Sequence, residues 1–279
     1  MQYTERTTEK WGRVLWLTDG KTEIGVALDF GIRVVHLSCS GCANLFYEQP
    51  QDHSDGFVEK NGWCLYGGHR LWLAPESYDS YHPDNDPVVY TVEEDKILFE
   101  QSIDPLLHIR KRLQISFNND GSVCVLQQIE NALDVPINGA AWGVNTLDAG
   151  GTAVISFGCQ NTGGFNPQRV VSLWSDTNLS DSRLEFKKDR LLARHLPIKD
   201  YLKVGLYSNP GRAVLINKGQ QFELTFEAEK FELYPDNGCN FELYMCEQFM
   251  ELESLGKMTT ILPGQCAVHT EVWRLEKCV

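Results

Sequence analysis

Short apolar and β-branched runs, cut by turn residues, recur along the chain, and hardly any stretch carries the period of an amphipathic helix. Residues 22–28 (TEIGVAL) and 32–37 (IRVVHL) open the series. Runs at 96–101, 107–117, 122–130 and 153–158 follow, and then 204–207, 212–217, 221–227, 240–246, 249–255 and 267–275. Asn118-Asn119-Asp120-Gly121 and Lys218-Gly219 read as hairpin turns, because Asn, Asp and Gly tolerate positive φ. This pattern predicts an all-β protein, a large antiparallel β-sandwich or barrel. No linker, repeat or low-complexity segment divides the 279 residues, so one domain is expected over 1–279. Gly163-Gly164 opens no helix, which argues against a dinucleotide-binding turn.

The net charge of -13 opposes phosphate backbones and anionic lipid, so nucleic-acid and membrane-surface roles are demoted. A sugar or another neutral or cationic small molecule is the more compatible partner. The first ten residues are polar and lack the apolar core of a signal peptide. With nine cysteines, an odd number, this predicts reduced thiols and a cytoplasmic protein. Cys39 and Cys42 form a C-x-x-C pair, read as structural because neither a helix N-terminus nor a second pair accompanies it. The polar loops at 49–56 and 77–87 are placed on the surface. Within the second, His82, Asp84, Asn85 and Asp86 lack the glycine and distal Glu of a calcium loop, and are read as a plain loop.

Four stretches carry groups able to do chemistry. Residues 67–76 (GGHRLWLAPE) bring together a proton exchanger, His69, a planar fork of donors, Arg70, and a flat apolar face, Trp72, with Trp63 nearby. Two glycines before them let the backbone approach something closely. The plainer reading is a buried loop with the tryptophans in the core and Arg70 paired to Glu76. In residues 249–256 (FMELESLG), strand alternation puts Glu251 and Glu253 on one face, with Met250 and Leu252 on the other. Two neighbouring carboxylates raise each other's pKa, which suits a general base, although a solvated outer face gives the same pattern. Lys203, which Asp200 would hold, and Trp142 complete the set, the former also readable as a surface turn and the latter as core. No phosphate-binding loop, nucleophile elbow or zinc-protease motif is present.

The chain as a whole resembles the aldose 1-epimerase (galactose mutarotase)-like superfamily, and more closely an uncharacterised bacterial branch of it. The match rests on residues 31–48 (GIRVVHLSCSGCANLFYE), 67–76 (GGHRLWLAPE), 203–212 (KVGLYSNPGR) and an ending that runs through Pro235-Asp236-Asn237-Gly238, residues 250–256, Leu262-Pro263-Gly264, His269 and Trp273. The resemblance implies a large β-sandwich with a sugar site on its concave face. It implies interconversion of sugar anomers by a Glu base and a His acid, with no metal or organic cofactor. Carried over residue by residue, it makes Glu253 the base, with Glu251 as second choice, and sets His69 where a first active-site His is expected. Arg70, Trp72, Trp142, Lys203 and Glu251 become substrate-binding candidates. One departure stands out: the second His of the family's mid-chain motif is missing from Ala141-Trp142-Gly143-Val144-Asn145. Either His69 takes the acid role, or Lys203 substitutes, or turnover is lost. A non-catalytic sugar-binding protein on the same fold is therefore the alternative.

Overall fold

The structure is a computed structural model and describes residues 1–158, 169–229 and 232–278. Gly163-Gly164 and Cys159 lie outside the described residues. In chain order the strands are β1 (Gln2–Thr8), β2 (Gly12–Thr18), β3 (Thr22–Ala27), β4 (Arg33–Cys39), β5 (Gly68–Ala74), β6 (Val89–Val92) and β7 (Lys96–Glu100). They continue as β8 (Ile109–Phe117), β9 (Val123–Asn131), β10 (Ile137–Asp148), β11 (Thr152–Ser156), β12 (Val171–Leu173), β13 (Leu184–Phe186) and β14 (Arg190–Arg194). The last are β15 (Leu202–Leu206), β16 (Arg212–Asn217), β17 (Gln220–Phe226), β18 (Phe241–Met245), β19 (Phe249–Leu255), β20 (Thr259–Ile261) and β21 (Cys266–Lys277).

The strands make two antiparallel sheets. One, of eleven strands, runs β1-β2-β3-β4-β5-β10-β19-β18-β15-β12, with β20 attached to β10. The other, of ten, runs β13-β14-β11-β16-β17-β21-β9-β8-β7-β6. They pack face to face over one apolar cluster that draws on both, from Leu15, Ile24 and Leu252 to Leu113, Phe222 and Trp273. Alternation explains the packing: β8 and β9 bury every second residue, as expected for strands wet on one side. The central strands differ. β19 is buried at all seven positions, and β10 is buried at nine consecutive positions, 139–147. Both of their faces are covered.

The expected sandwich and both expected hairpin turns are present, with Lys218, Gly219 and Gly121 at positive φ. Two central strands were not read from the sequence. Residues 68–74 form a strand rather than a buried loop, and the Gly- and Ala-rich segment of β10 is one of its two partners. The double glycine of the first motif is required by backbone, not by a ligand. A Cβ on Gly67 would lie 2.0 Å from the Tyr47 carbonyl oxygen and one on Gly68 2.3 Å from that of Val34, and both residues have positive φ.

The loop at 77–87 is not plain throughout. Asp84 is buried, 2.7 Å from Arg33 Nη2 of β4 and 2.7 Å from Lys111 Nζ of β8, so one carboxylate ties the two sheets together. Burial alone would raise its pKa, but the two cations outweigh burial and hold it well below the usual carboxylate range. A depressed folded pKa adds stability that is complete above the unfolded value near 3.8 and is lost as pH falls toward the folded one. Asp84→Asn leaves two buried cations without their anion. It should cost about 3–5 kcal/mol at pH 7. Urea midpoints should converge with those of the parent protein as pH drops from 5 toward 2; a constant gap would show that the ion pairs are not the source.

Candidate active site

The site candidates lie on β5, β10 and β19 and, for Lys203, on β15, and strand register sorts them. Trp142 faces Trp72 and Val144 faces Arg70 across β10 and β5. Val144 faces Glu253 and Thr146 faces Glu251 across β10 and β19. Glu242 faces Glu253 and Tyr244 faces Glu251 across β19 and β18, and Lys203 of β15 faces Tyr244. Directly paired residues share a face. Arg70, Trp72, Trp142, Lys203, Glu251, Glu253 and the unforeseen Glu242 therefore all stand on the outer face, away from the opposing sheet. Trp63 of the long β4–β5 connection and Tyr81 after β5 pack over this face against Trp72, Phe57 packs against Phe249 of β19, and Leu65 joins the same cluster.

The contacts are specific. The Arg70 guanidinium lies 4.5 Å from the Trp72 ring centroid and 5.3 Å from that of Trp63. Its Nη2 is 3.5 Å from Glu251 Oε1, which also accepts a 2.7 Å hydrogen bond from Thr146. Arg70 is thus partnered by Glu251 rather than Glu76. Lys203 Nζ stands 2.8 Å from Glu242, 3.4 Å from Glu76 and 3.7 Å from Glu253, and 5.0 Å from the rings of Trp142 and Trp174. Asp200 does not hold it; the Asp200 carbonyl accepts from Arg183. Burial raises the pKa of Glu253 well above its ordinary value, against the pull of Lys203 and with repulsion from Glu242, Glu251 and Glu76 adding to it. Burial raises Glu251 as well, opposed by Arg70. Burial works against the charge on Lys203, but Glu253, Glu242 and Glu76 prevail and keep it an ammonium.

Several buried polar atoms here have no hydrogen-bond partner: both carboxylate oxygens of Glu253 and of Glu242, Nε and Nη1 of Arg70, and the indole nitrogens of Trp63 and Trp142. Each costs about 1–3 kcal/mol unless something satisfies it. Donors, acceptors and indole faces gathered on one patch match a ligand that offers hydroxyl groups and C–H faces together. Solvent reaches the patch beside Lys203 and the half-exposed Glu76. Among the described residues no three His, Cys, Asp or Glu side chains converge as metal ligands.

His69 is not part of this patch. It pairs across the ladder with Asn145, one residue out of phase with Arg70, and points between the sheets at 1% exposure. There Nδ1 donates to Asn145 Oδ1 at 3.1 Å, because the amide nitrogen of Asn145 is already directed at Leu252 O and Glu271. The ring packs edge-on to Trp273, with centroids 5.1 Å apart. Burial lowers the pKa of His69, and that of His269 to about 4, so both are neutral imidazoles. The hub of this inner network is Glu271, which takes hydrogen bonds from Ser254 at 2.5 Å, Trp273 Nε1 at 2.7 Å and Asn145. His269, Glu271 and Trp273 at every second position of β21 were the available signal, a polar pair on a core-facing row.

Gly143 makes room for the network. A Cβ there would lie 2.4 Å from Glu271 Oε1 and 2.7 Å from Gln127 Nε2, with no flexible surface group to yield. Gly143→Ala should cost at least about 1–3 kcal/mol as an overpacked core position. An unchanged urea midpoint would mean that the network rearranges freely.

No protein-family model matches the sequence, and no curated protein matches it. Solved structures do. A candidate aldose 1-epimerase from Escherichia coli K12 superposes with a TM-score of 0.61 at 11% identity, over 95% of this chain and 99% of that one. A galactose mutarotase-like protein from Lactobacillus casei gives 0.62 at 10% identity, over 94% and 100%. One from Clostridium acetobutylicum gives 0.55 at 10% identity, over 99% and 98%. The chain has the galactose mutarotase-like fold.

Proposed function

We propose that the protein binds a free sugar on the outer face of β5, β10, β19 and β18 and interconverts its anomers, with Glu253 as the base. The observation that carries this reading is the Glu253 carboxyl: 1% exposed, both oxygens without a hydrogen-bond partner, among indole rings and beside one ammonium. A carboxyl group in that setting is costly to the fold and suited to a hydroxyl proton. Glu253 removes the proton from the anomeric hydroxyl O1. The C1–O1 bond becomes a carbonyl, the C1–O5 bond breaks, and O5 takes up a proton. Rotation about C1–C2 and closure on the other face give the second anomer. Arg70 Nε and Nη1 and the Trp142 indole nitrogen supply donors to ring hydroxyls, the Trp72 and Trp142 rings meet C–H faces, and Lys203 stabilises the negative charge that develops on O5 as the C1–O5 bond breaks. Glu251 is held by Arg70 and Thr146 and acts by orienting Arg70.

The placement of His69 between the sheets favours a second reading, sugar binding without turnover, since the outer face then lacks an imidazole acid. NMR magnetisation transfer over a panel of aldoses, uronic acids and sugar phosphates separates the two. The expected result is accelerated exchange for one sugar class. Glu253→Gln should lower it at least about 10²-fold while leaving the fold and sugar binding intact. Sugar binding with no acceleration on the whole panel would establish the binding reading instead. Trp142→Ala should weaken binding roughly tenfold, equivalent to about 1.4 kcal/mol. His69→Gln should lower the denaturation midpoint and keep the exchange rate within about threefold; loss of exchange in a variant of native stability would return His69 to the reaction.

A further inference from the structure

Glu242 was not singled out in the sequence, and the structure gives it a place in the chemistry. It lies directly across the β18–β19 ladder from Glu253, so the two carboxyls rise side by side from the outer face. It is 0% exposed, and neither of its oxygens has a hydrogen-bond partner. Lys203 Nζ, 2.8 Å from the Glu242 carboxyl and 3.7 Å from that of Glu253, is near enough to pair with both. The groups facing the pair from neighbouring elements are mostly acidic: Asp236 and Cys239 from the turn before β18, Glu251 from β19 and Glu76 from the segment after β5. Arg70 is engaged with Glu251. One ammonium thus serves two buried carboxyls. Two such groups cannot both ionise near neutral pH without a large desolvation and repulsion cost.

We propose that Glu242 and Glu253 hold one proton between them and act together as the acid–base dyad of anomer exchange. The inference rests on the anomer-exchange reading and supplies the acid that the missing histidine leaves open. O1 and O5 are bonded to the same carbon, so two adjacent carboxyls reach both from one side of the ring. The ionised carboxylate takes the O1 proton while the protonated carboxyl gives its proton to O5, which keeps the electron pair of the broken C1–O5 bond. The dyad ends with one proton, as it began, on the other oxygen pair. Closure runs the same transfers backward on the other face of the carbonyl. Burial, working against Lys203, pushes Glu242 up to about 7, in keeping with a group that still carries a proton near neutrality.

The test is the pH profile of exchange, on the sugar that the parent protein accelerates, for Glu242→Gln, Glu253→Gln and the double variant, with calorimetric sugar binding beside it. A dyad predicts a bell-shaped profile in the parent. Activity falls at low pH, where both carboxyls are protonated and no base remains, and at high pH, where both are ionised and no acid remains. Each single variant should lose at least about 10²-fold with binding retained, and the double variant should be no worse than either, because the pair works as a unit. Isotope-edited infrared spectra of the sugar-free protein at pH 7 should contain one protonated buried carboxyl band, lost in Glu242→Gln. Exchange kept within threefold in Glu242→Gln but lost in Glu253→Gln overturns the dyad and leaves Glu253 as base. Sugar binding with no acceleration in the parent overturns the exchange reading itself, and the dyad's catalytic role with it. Absence of the infrared band overturns the shared proton whatever the kinetics. If Glu242→Gln does not fold, Glu242→Asp, which keeps the charge but withdraws the carboxyl by one methylene, decides by the same readouts.

Discussion

The structure is governed by the cost of covering three polar strands on both sides. Side chains alternate across a strand, so each central strand sends one set of residues between the sheets and the next set outward. His69 and Arg70, Asn145 and Val144, and Ser254 and Glu253 are neighbours in sequence that part to opposite faces. Because the outer face is also roofed, by Trp63, Phe57 and Tyr81, neither set can turn to water. Every polar group on β5, β10 and β19 must then find a partner or be left without one.

The two faces answer that demand differently. Between the sheets, Glu271 collects Ser254, Trp273 and Asn145, and His69 and His269 close the ends as neutral rings. Gly143 gives the backbone clearance this needs. On the outer face, Glu242, Glu253 and part of Arg70 are left without hydrogen bonds. His69 Nε2 and the Gln127 amide are without partners between the sheets as well, so what sets the outer face apart is that its unpartnered groups include carboxyls and a guanidinium. The inner network ties β5, β10, β19 and β21 together, while the outer face keeps buried polar groups without partners of their own.

Much of the architecture was legible in the sequence because its alternating hairpin strands follow simple rules, whereas the edge strands β1, β6, β12 and β13 were not read. Residues 109–117 and 123–131 alternate cleanly, and the turn Asn118-Asn119-Asp120-Gly121 joins them in the way its φ preferences dictate. β10 was not legible for the opposite reason. A strand covered on both faces has no alternation, and INGAAWGVNTLD uses small residues to admit neighbours closely, which reads as a loop. Asp84 was hidden likewise, since a lone aspartate in a polar segment gives no sign of the two cations that meet it from β4 and β8.

By itself the sequence determined the β-sandwich, most strand positions, the shared face of Glu251 and Glu253, and the concentration of site candidates in residues 67–76 and 249–256. These follow from local rules: the two-residue period of a strand and the conformational freedom of Gly, Asn and Asp in turns. Only the tertiary structure decided that His69 faces inward while Arg70 faces out, that Lys203 serves Glu242, Glu253 and Glu76 rather than Asp200, and that Glu242 stands opposite Glu253. Those facts depend on which strand lies beside which and in what register. Outside the β18–β19 hairpin, register is set by pairing between residues 35 to 113 positions apart, and a shift of one residue would have exchanged the two faces.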